Sequence, residues 1–291
     1  MTSTLEPAWA GLVDDAAIFP PAETPLADAV AAYVDRRGHW SAPFVASFVV
    51  TDVRLPEVGA SVVEPVEIPV SVVVTGGAGA IAGALRLAGK HDHRVVGLEI
   101  ALRDLDDLPG NARRVVAAVD AARDEGLMDD DTPVFLELPH AGSTATWLAA
   151  ADVAAEREMR LKFRTGGLEA HLFPAAHALA RWIDAALDRE TPFKCTAGLH
   201  NAVRHTGPAA DGGFEHHGFL NVLLATRRAF DGAGLDDVVA TLEERDGATL
   251  AAAAREEDLA GARRWFTSFG SCSVTEPLDD LIALGLLEDQ S

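Results

Sequence analysis

The chain has 291 residues, 48 % of them hydrophobic, and a formal charge of −21 at pH 7. Its length suffices for a large core, as one big domain or two ordinary ones, and its acidity excludes nucleic acid and anionic membranes as partners, since both demand a basic footprint. Mean hydropathy is slightly positive, yet no apolar run is long enough to span a bilayer, and Met1 to Ala10 lacks the basic cluster that opens a secretory signal; a cytoplasmic protein is expected.

The acidic residues are scattered over helix faces, which reads as a solvated surface. Cys195 and Cys272 show no CxxC spacing, so they are expected to be small buried apolar residues in a reducing compartment. A homo-oligomer is compatible with the sequence.

In chain order, Gly11 to Phe19 reads as a first strand, stopped by Pro20-Pro21. A helix follows with Thr24 as N-cap, Pro25 at its first position and Gly38 past its end. Phe44 to Val50 and Ile68 to Val74 are the second and third strands. Thr75-Gly76-Gly77 then turns into an alanine-rich helix near Ala80 to Leu87. Val95 to Ile100 is the fourth strand and Pro109 to Glu125 a helix with Val115, Val116, Val119 and Ala122 on one face. Val134 to Leu138 is the fifth, followed by a helix that Ser143 or Thr144 caps. The sixth strand contains Lys162 and precedes a helix from about Pro174 to Leu187; the seventh contains Lys194. A long interval from about His205 to Arg264 carries helices at Phe219 to Phe230 and Leu235 to Glu243. Trp265 to Phe269 is the eighth strand, and Pro277 to Leu287 the closing helix.

The strand runs are almost continuously apolar, as parallel strands covered on both faces require. Eight strands alternating with helices at this spacing predict a single α/β (β/α)8 TIM barrel over residues 1–291, with a helical insertion at 205–264 between strands seven and eight. A doubly wound open sheet is the competing fold, but no GxGxxG follows the first strand.

Of 24 basic residues only Lys90, Lys162 and Lys194 are lysines, and two of these lie in apolar strand ends. Arginine keeps its proton in a protein, whereas a desolvated or crowded lysine can lose it. With side chains alternating between lumen and helix layer, Lys162 and Arg164 share one face, as do Lys194 and Thr196. Glu99 and Glu137 can reach the same lumen. The set suits amine catalysis: a free lysine amine attacks a carbonyl to form a Schiff base, and a neighbouring carboxylate moves the protons. The competing reading is a structural ion-pair network. Either Asp14 or Asp15 could join the lumen or serve as a cap.

The sixth strand, with Lys162 and then Thr165-Gly166, resembles the Schiff-base strand of the 2-deoxyribose-5-phosphate aldolase family, which runs Lys, two small residues, Thr-Gly. Lys194-Cys195-Thr196-Ala197-Gly198, with Arg204 beyond, is similar to that family's second lysine strand. Ser268-Phe269-Gly270-Ser271-Cys272-Ser273 looks like its phosphate-binding Phe-Gly-x-Ser segment, and Pro109-Gly110-Asn111 like its Gly-Asn helix start. The resemblance covers strands four to eight. It implies that Lys162 is the nucleophile, Lys194 the neighbour that lowers its pKa and Glu99 a proton shuttle, with no metal and no cofactor. Glu137 joins the catalytic candidates. Backbone amides near Gly198 and Ser271 would hold an anion, with Thr165, Thr196, His200, Gly270 and Ser273 around the same substrate. Phe163 and Arg164 depart from the family pattern, and Arg164 adds a bidentate clamp for carboxylate or phosphate. The expected substrate is therefore a small anionic carbonyl compound, a keto acid or a sugar phosphate.

Two further readings stay open. His140, His200, His205, His216 and His217 could gather at one barrel end and, with glutamates, hold the metal of a lyase or hydrolase, although no HExxH is present and the His91-x-His93 pair precedes strand four. A barrel could also bind an anionic metabolite through Arg164, Lys194 and the glycine turns without catalysis.

Overall fold

The computed structural model describes residues 5–61, 67–140, 142–208 and 212–290. In chain order its elements are β1 (Val13–Asp15), α1 (Leu26–Arg36), β2 (Val45–Thr51), α2 (Leu55–Ala60), β3 (Pro69–Val74), α3 (Ile81–Lys90) and β4 (Arg94–Ala101). Next come α4 (Leu108–Asp124), β5 (Val134–Glu137), α5 (Ala145–Glu156), β6 (Arg160–Arg164), α6 (Ala176–Leu187) and β7 (Phe193–Thr196). The chain ends with β8 (His205–Thr206), β9 (Glu215–His216), α7 (Phe219–Phe230), α8 (Leu235–Glu243), α9 (Gly247–Glu256), α10 (Leu259–Ala262), β10 (Phe266–Ser271) and α11 (Thr275–Ala283).

Among the described residues eight parallel strands close into a barrel in the order β1-β10-β7-β6-β5-β4-β3-β2, with β8 and β9 as a separate antiparallel hairpin. This is the (β/α)8 barrel that the alternation of strands and helices predicts. Outward strand residues such as Val72, Leu98, Ile100, Leu136, Phe163, Cys195 and Phe269 are buried. Phe163 packs at 6.2 Å from Trp147 and 5.7 Å from Trp182, ring to ring, which fixes the helix layer behind β6.

The segment between β7 and β10 is helical, as expected. Within it, Phe219 to Thr226 of α7 are all buried, because α7 packs on β10 on one side and on α8, α9 and α10 on the other. Phe219 stacks on Phe269 at 5.1 Å. So α7 is the barrel's own seventh helix, and the insertion proper is the hairpin and the three outer helices.

Several boundaries differ from expectation. β1 is short, because Phe19 N–H bonds back to Ala16 in a turn. Pro25 and not Thr24 occupies the N-cap of α1, without a side-chain cap bond; Thr24 N–H goes to Ala17 O instead. Thr144 caps α5 by accepting from Trp147 N–H. α6 starts at Ala176 rather than Pro174, whose carbonyl faces the His217 ring at 2.8 Å. The sequence reading missed α2, α9, α10 and the hairpin. No helix among the described residues is long and apolar enough to cross a membrane.

Candidate functional site

A TIM barrel ordinarily fills its lumen with branched aliphatic side chains; this one fills much of it with charge. The register explains how. Glu137 is level with Lys162, and Lys162 with Lys194, while Asp14 pairs with Gly270 and with Ser47. Leu98 and Ile100 take the outward positions of β4 and are fully buried in the helix layer, which turns Glu99 into the lumen.

The result is an unbroken chain of alternating charges. Asp14 Oδ2 lies 2.6 Å from Lys194 Nζ, which lies 2.6 Å from Glu99 Oε1. Glu99 Oε2 lies 2.6 Å from Lys162 Nζ, which lies 2.9 Å from Glu137 Oε2. Glu137 Oε1 then accepts from Arg164 Nε at 2.9 Å. Three cations thus alternate with three carboxylates. Hydroxyls complete the shell: Ser71 Oγ donates to Glu99 Oε1, and Ser47 and Ser268 donate to Asp14. Lys194 Nζ also lies 5.1 Å over the Phe135 ring.

The chain has a direction. Lys194 and Asp14 sit deepest and border a cavity of about 210 Å³ at the N-terminal end of the barrel, where Arg160, Ser47, Ser71 and Phe135 also line it. Arg164 is the last residue of β6, and its side chain is 35 % exposed at the opposite mouth, whereas that of Lys162 is 4 % exposed. Active sites of this fold lie at the C-terminal strand ends, and Lys162, Glu137 and Arg164 form the part of the charge network on that side.

Electrostatics correct the expectation that Lys194 lowers the pKa of Lys162. Burial is the largest single effect on Lys162 and favours the neutral amine, but Glu137 and Glu99 together outweigh it, and the net shift is upward. Lys194 is likewise pulled down by burial and pushed further up by Asp14 and Glu99. Burial would raise Glu99, yet Lys162 and Lys194 hold it well below the usual carboxylate range; Lys162 and Arg164 do the same for Glu137 against its own burial. The physical reason is the interleaving. Each lysine meets two carboxylates instead of the other lysine, so both are ammonium at neutral pH.

The other expected substrate residues divide. Thr165 is buried, and its hydroxyl donates to Ala197 O, tying the β6 end to the β7 end. Thr196 and Gly270 are paired in register at the mouth. Gly198, in the left-handed region at φ 78°, presents its carbonyl to His216 Nδ1 at 3.3 Å. Ser271 Oγ donates to Ser273 O, and Ser273 Oγ accepts from Glu276 N–H. His200 turns toward Glu276 and Cys272. The remaining histidines scatter. His140 packs edge-on to Trp182, His205 stacks on His216, and His217 lies buried between Pro174 O and Arg204. Among the described residues no three His, Cys, Asp or Glu side chains gather where they could hold a metal ion.

Asp14 and the serines Ser47, Ser71 and Ser268 are the site residues that sequence reasoning left undecided or passed over. A signal existed, since each is a polar residue within a run of apolar, β-forming ones. The chain matches no protein-family model, and no curated protein matches it.

Proposed function

We propose that this barrel is a lysine-dependent lyase of the class I aldolase type, acting on a small anionic carbonyl compound with Lys162 as the Schiff-base nucleophile. The observation that carries this reading is the placement of Lys162 Nζ between Glu99 at 2.6 Å and Glu137 at 2.9 Å, one step below Arg164. It is consistent with the motif resemblance of strands four to eight to the 2-deoxyribose-5-phosphate aldolases.

The resting ammonium is not nucleophilic, so the substrate itself must release the amine. Arg164 neutralises Glu137 in the free protein. A carboxylate or phosphate that takes the guanidinium withdraws a cation from Glu137 and raises its basicity. Glu137 then accepts a proton from Lys162, and the free amine adds to the carbonyl carbon. The protonated Glu137 returns its proton to the developing alkoxide, giving the carbinolamine. Loss of water, assisted by the same carboxyl group, yields the iminium ion. A carboxylate then removes the proton of the β-hydroxyl group, the carbon–carbon bond breaks, and its electron pair enters the iminium to give an enamine. Protonation and hydrolysis of the enamine free Lys162. Lys194 keeps Glu99 ionised throughout.

The test is reductive trapping. The protein is incubated with 2-oxo acids, aldehydes and sugar phosphates, reduced with borohydride, digested and mapped by mass spectrometry. An adduct on Lys162, absent in folded Lys162→Met and forming faster as the pH rises toward the range where the ammonium titrates, is expected. Folded wild-type protein with no adduct on either lysine across the panel overturns the proposal. The complete pairing of both lysines favours a second reading, a barrel that binds an anion at Arg164 without turnover. That reading expects affinity that survives Lys162→Met.

A further inference from the structure

The two cysteines have opposite environments. Cys195 is fully buried in the helix layer, where burial pushes its thiol pKa up. Cys272 stands one residue past β10 and is only half-buried, so the expectation that both cysteines are buried fails for it. Its Sγ lies 3.5 Å from His200 Nε2 and 3.8 Å from His200 Nδ1. The same Nδ1 atom lies 2.9 Å from Glu276 Oε2. The three residues come from different segments: the loop after β7, the end of β10 and the first turn of α11.

We propose that Cys272, His200 and Glu276 form a second reactive site at the barrel mouth, in which the Cys272 thiol accepts acyl groups from esters or thioesters with good leaving groups. The geometry supplies the parts such a step needs: a nucleophile, a base within reach of it, and a third group that orients the base. With Nδ1–H donated to Glu276, His200 offers the Nε2 lone pair to the thiol proton once the ring is neutral. Burial lowers the pKa of His200, but Cys272 and Glu276 outweigh it and raise the imidazole to about 8, with the His216 ring as the other titratable group nearby. The N-terminal end of α11 begins three residues beyond Cys272, where Ser273 Oγ accepts from Glu276 N–H.

In the step itself, His200 Nε2 takes the thiol proton as the sulfur–carbon bond forms. The tetrahedral oxyanion collapses, the bond to the leaving alcohol or thiol breaks, and His200 returns the proton to that group. Water then attacks the Cys272 thioester with His200 again as base, releasing the carboxylic acid and the thiol. No oxidant or metal enters the balance.

The experiment uses the intact protein and p-nitrophenyl acetate, with iodoacetamide as a second probe. Acetyl-Cys272 is expected by peptide mass spectrometry, with Cys195 unlabelled as the internal control. A burst of nitrophenolate should accompany it. The acylation rate should fall about 100-fold in His200→Gln and about tenfold in Glu276→Gln. Iodoacetamide should label Cys272 faster than free cysteine near neutral pH, an advantage lost in His200→Gln. Melting curves establish that the variants fold. A Cys272 that alkylates like free cysteine and ignores His200→Gln, or that never carries acetate, overturns the proposal. The readout is a modified thiol, whereas that of the lyase proposal is a reduced amine adduct on Lys162, so each fails separately.

Discussion

Lys194 holds two carboxylates together that would otherwise repel each other in a dry lumen. Its Nζ is 2.6 Å from both Asp14 and Glu99, and its side chain is 2 % exposed. Removing one member of a buried ion pair leaves an unmatched charge and costs about 3–5 kcal/mol. Lys194→Met should therefore destabilise the protein by about that amount in urea unfolding. The double variant Lys194→Met with Asp14→Asn should be less unstable than the sum of its parts, because it removes an acid together with its counter-ion. Additive losses in that cycle would show that the pair is not coupled. At the same scale, the alternating pattern holds Lys162 between two acids as an ammonium; in the proposed reaction it becomes an amine only when Glu137 is released from Arg164.

At the scale of elements, the ends of β6 and β7 are locked together by backbone contact. A Cβ on Gly166 would lie 2.8 Å from Gly198 Cα and 3.1 Å from both Gly198 N and a Phe173 ring carbon. Backbone atoms cannot rotate away as a side chain can. Gly166→Ala should thus force the two loops apart, at a cost of about 1–3 kcal/mol, typical of overpacking. Thermal melts check the stability, and trapping at Lys162 checks whether the displaced β6 end carries Arg164 out of place. A variant as stable as wild type would mean that the loops separate freely. The lysine strands and their glycine turns thereby do two jobs: they carry the charges and they set the spacing of the mouth.

At the scale of the whole molecule, the charge network and the histidines set a pH window for stability. His217 has its pKa lowered to about 4, by burial first, so the folded protein resists its protonation. Its contribution is complete above the ordinary histidine value of 6.5 and is lost as pH falls toward about 4. Glu99 and Glu137 are depressed from 4.5, so their contribution is present above that value and is lost below it. Lys162 and Lys194 are raised from 10.5; their contribution is complete below that value and is lost as pH rises through the higher folded values. Urea unfolding across the range from about pH 3 to about pH 11 should show an acid limb that begins below neutrality and steepens under the carboxylate range, a small loss of the His200 contribution as pH rises from 6.5 through about 8, and a main alkaline limb in the lysine range. An alkaline limb that starts well below the lysine range and persists in His200→Gln would show that the lysines are not held charged.

Much of this molecule is legible in one dimension. Near-continuous apolar runs at β/α spacing specify the eight parallel strands, because a strand covered on both faces has no polar face to display. The helices α7 and α8 have the bounds their apolar periodicity predicts. Lys162 and Lys194 stand out because charged residues in buried strands are rare, and period two places Glu99, Glu137 and Arg164 on their face. Three things were decided only in tertiary structure. The sign of the lysine pKa shifts depends on which charges interleave across β1, β4, β5, β6 and β7, and register between distant strands is not written in any one of them. Asp14 enters the network from the far end of the chain, 180 residues from Lys194. Cys272 and Glu276 meet His200 only because barrel closure brings the end of β10 beside the loop after β7. Local sequence fixes which way a side chain points along its own strand; what it meets there is fixed by closing the barrel.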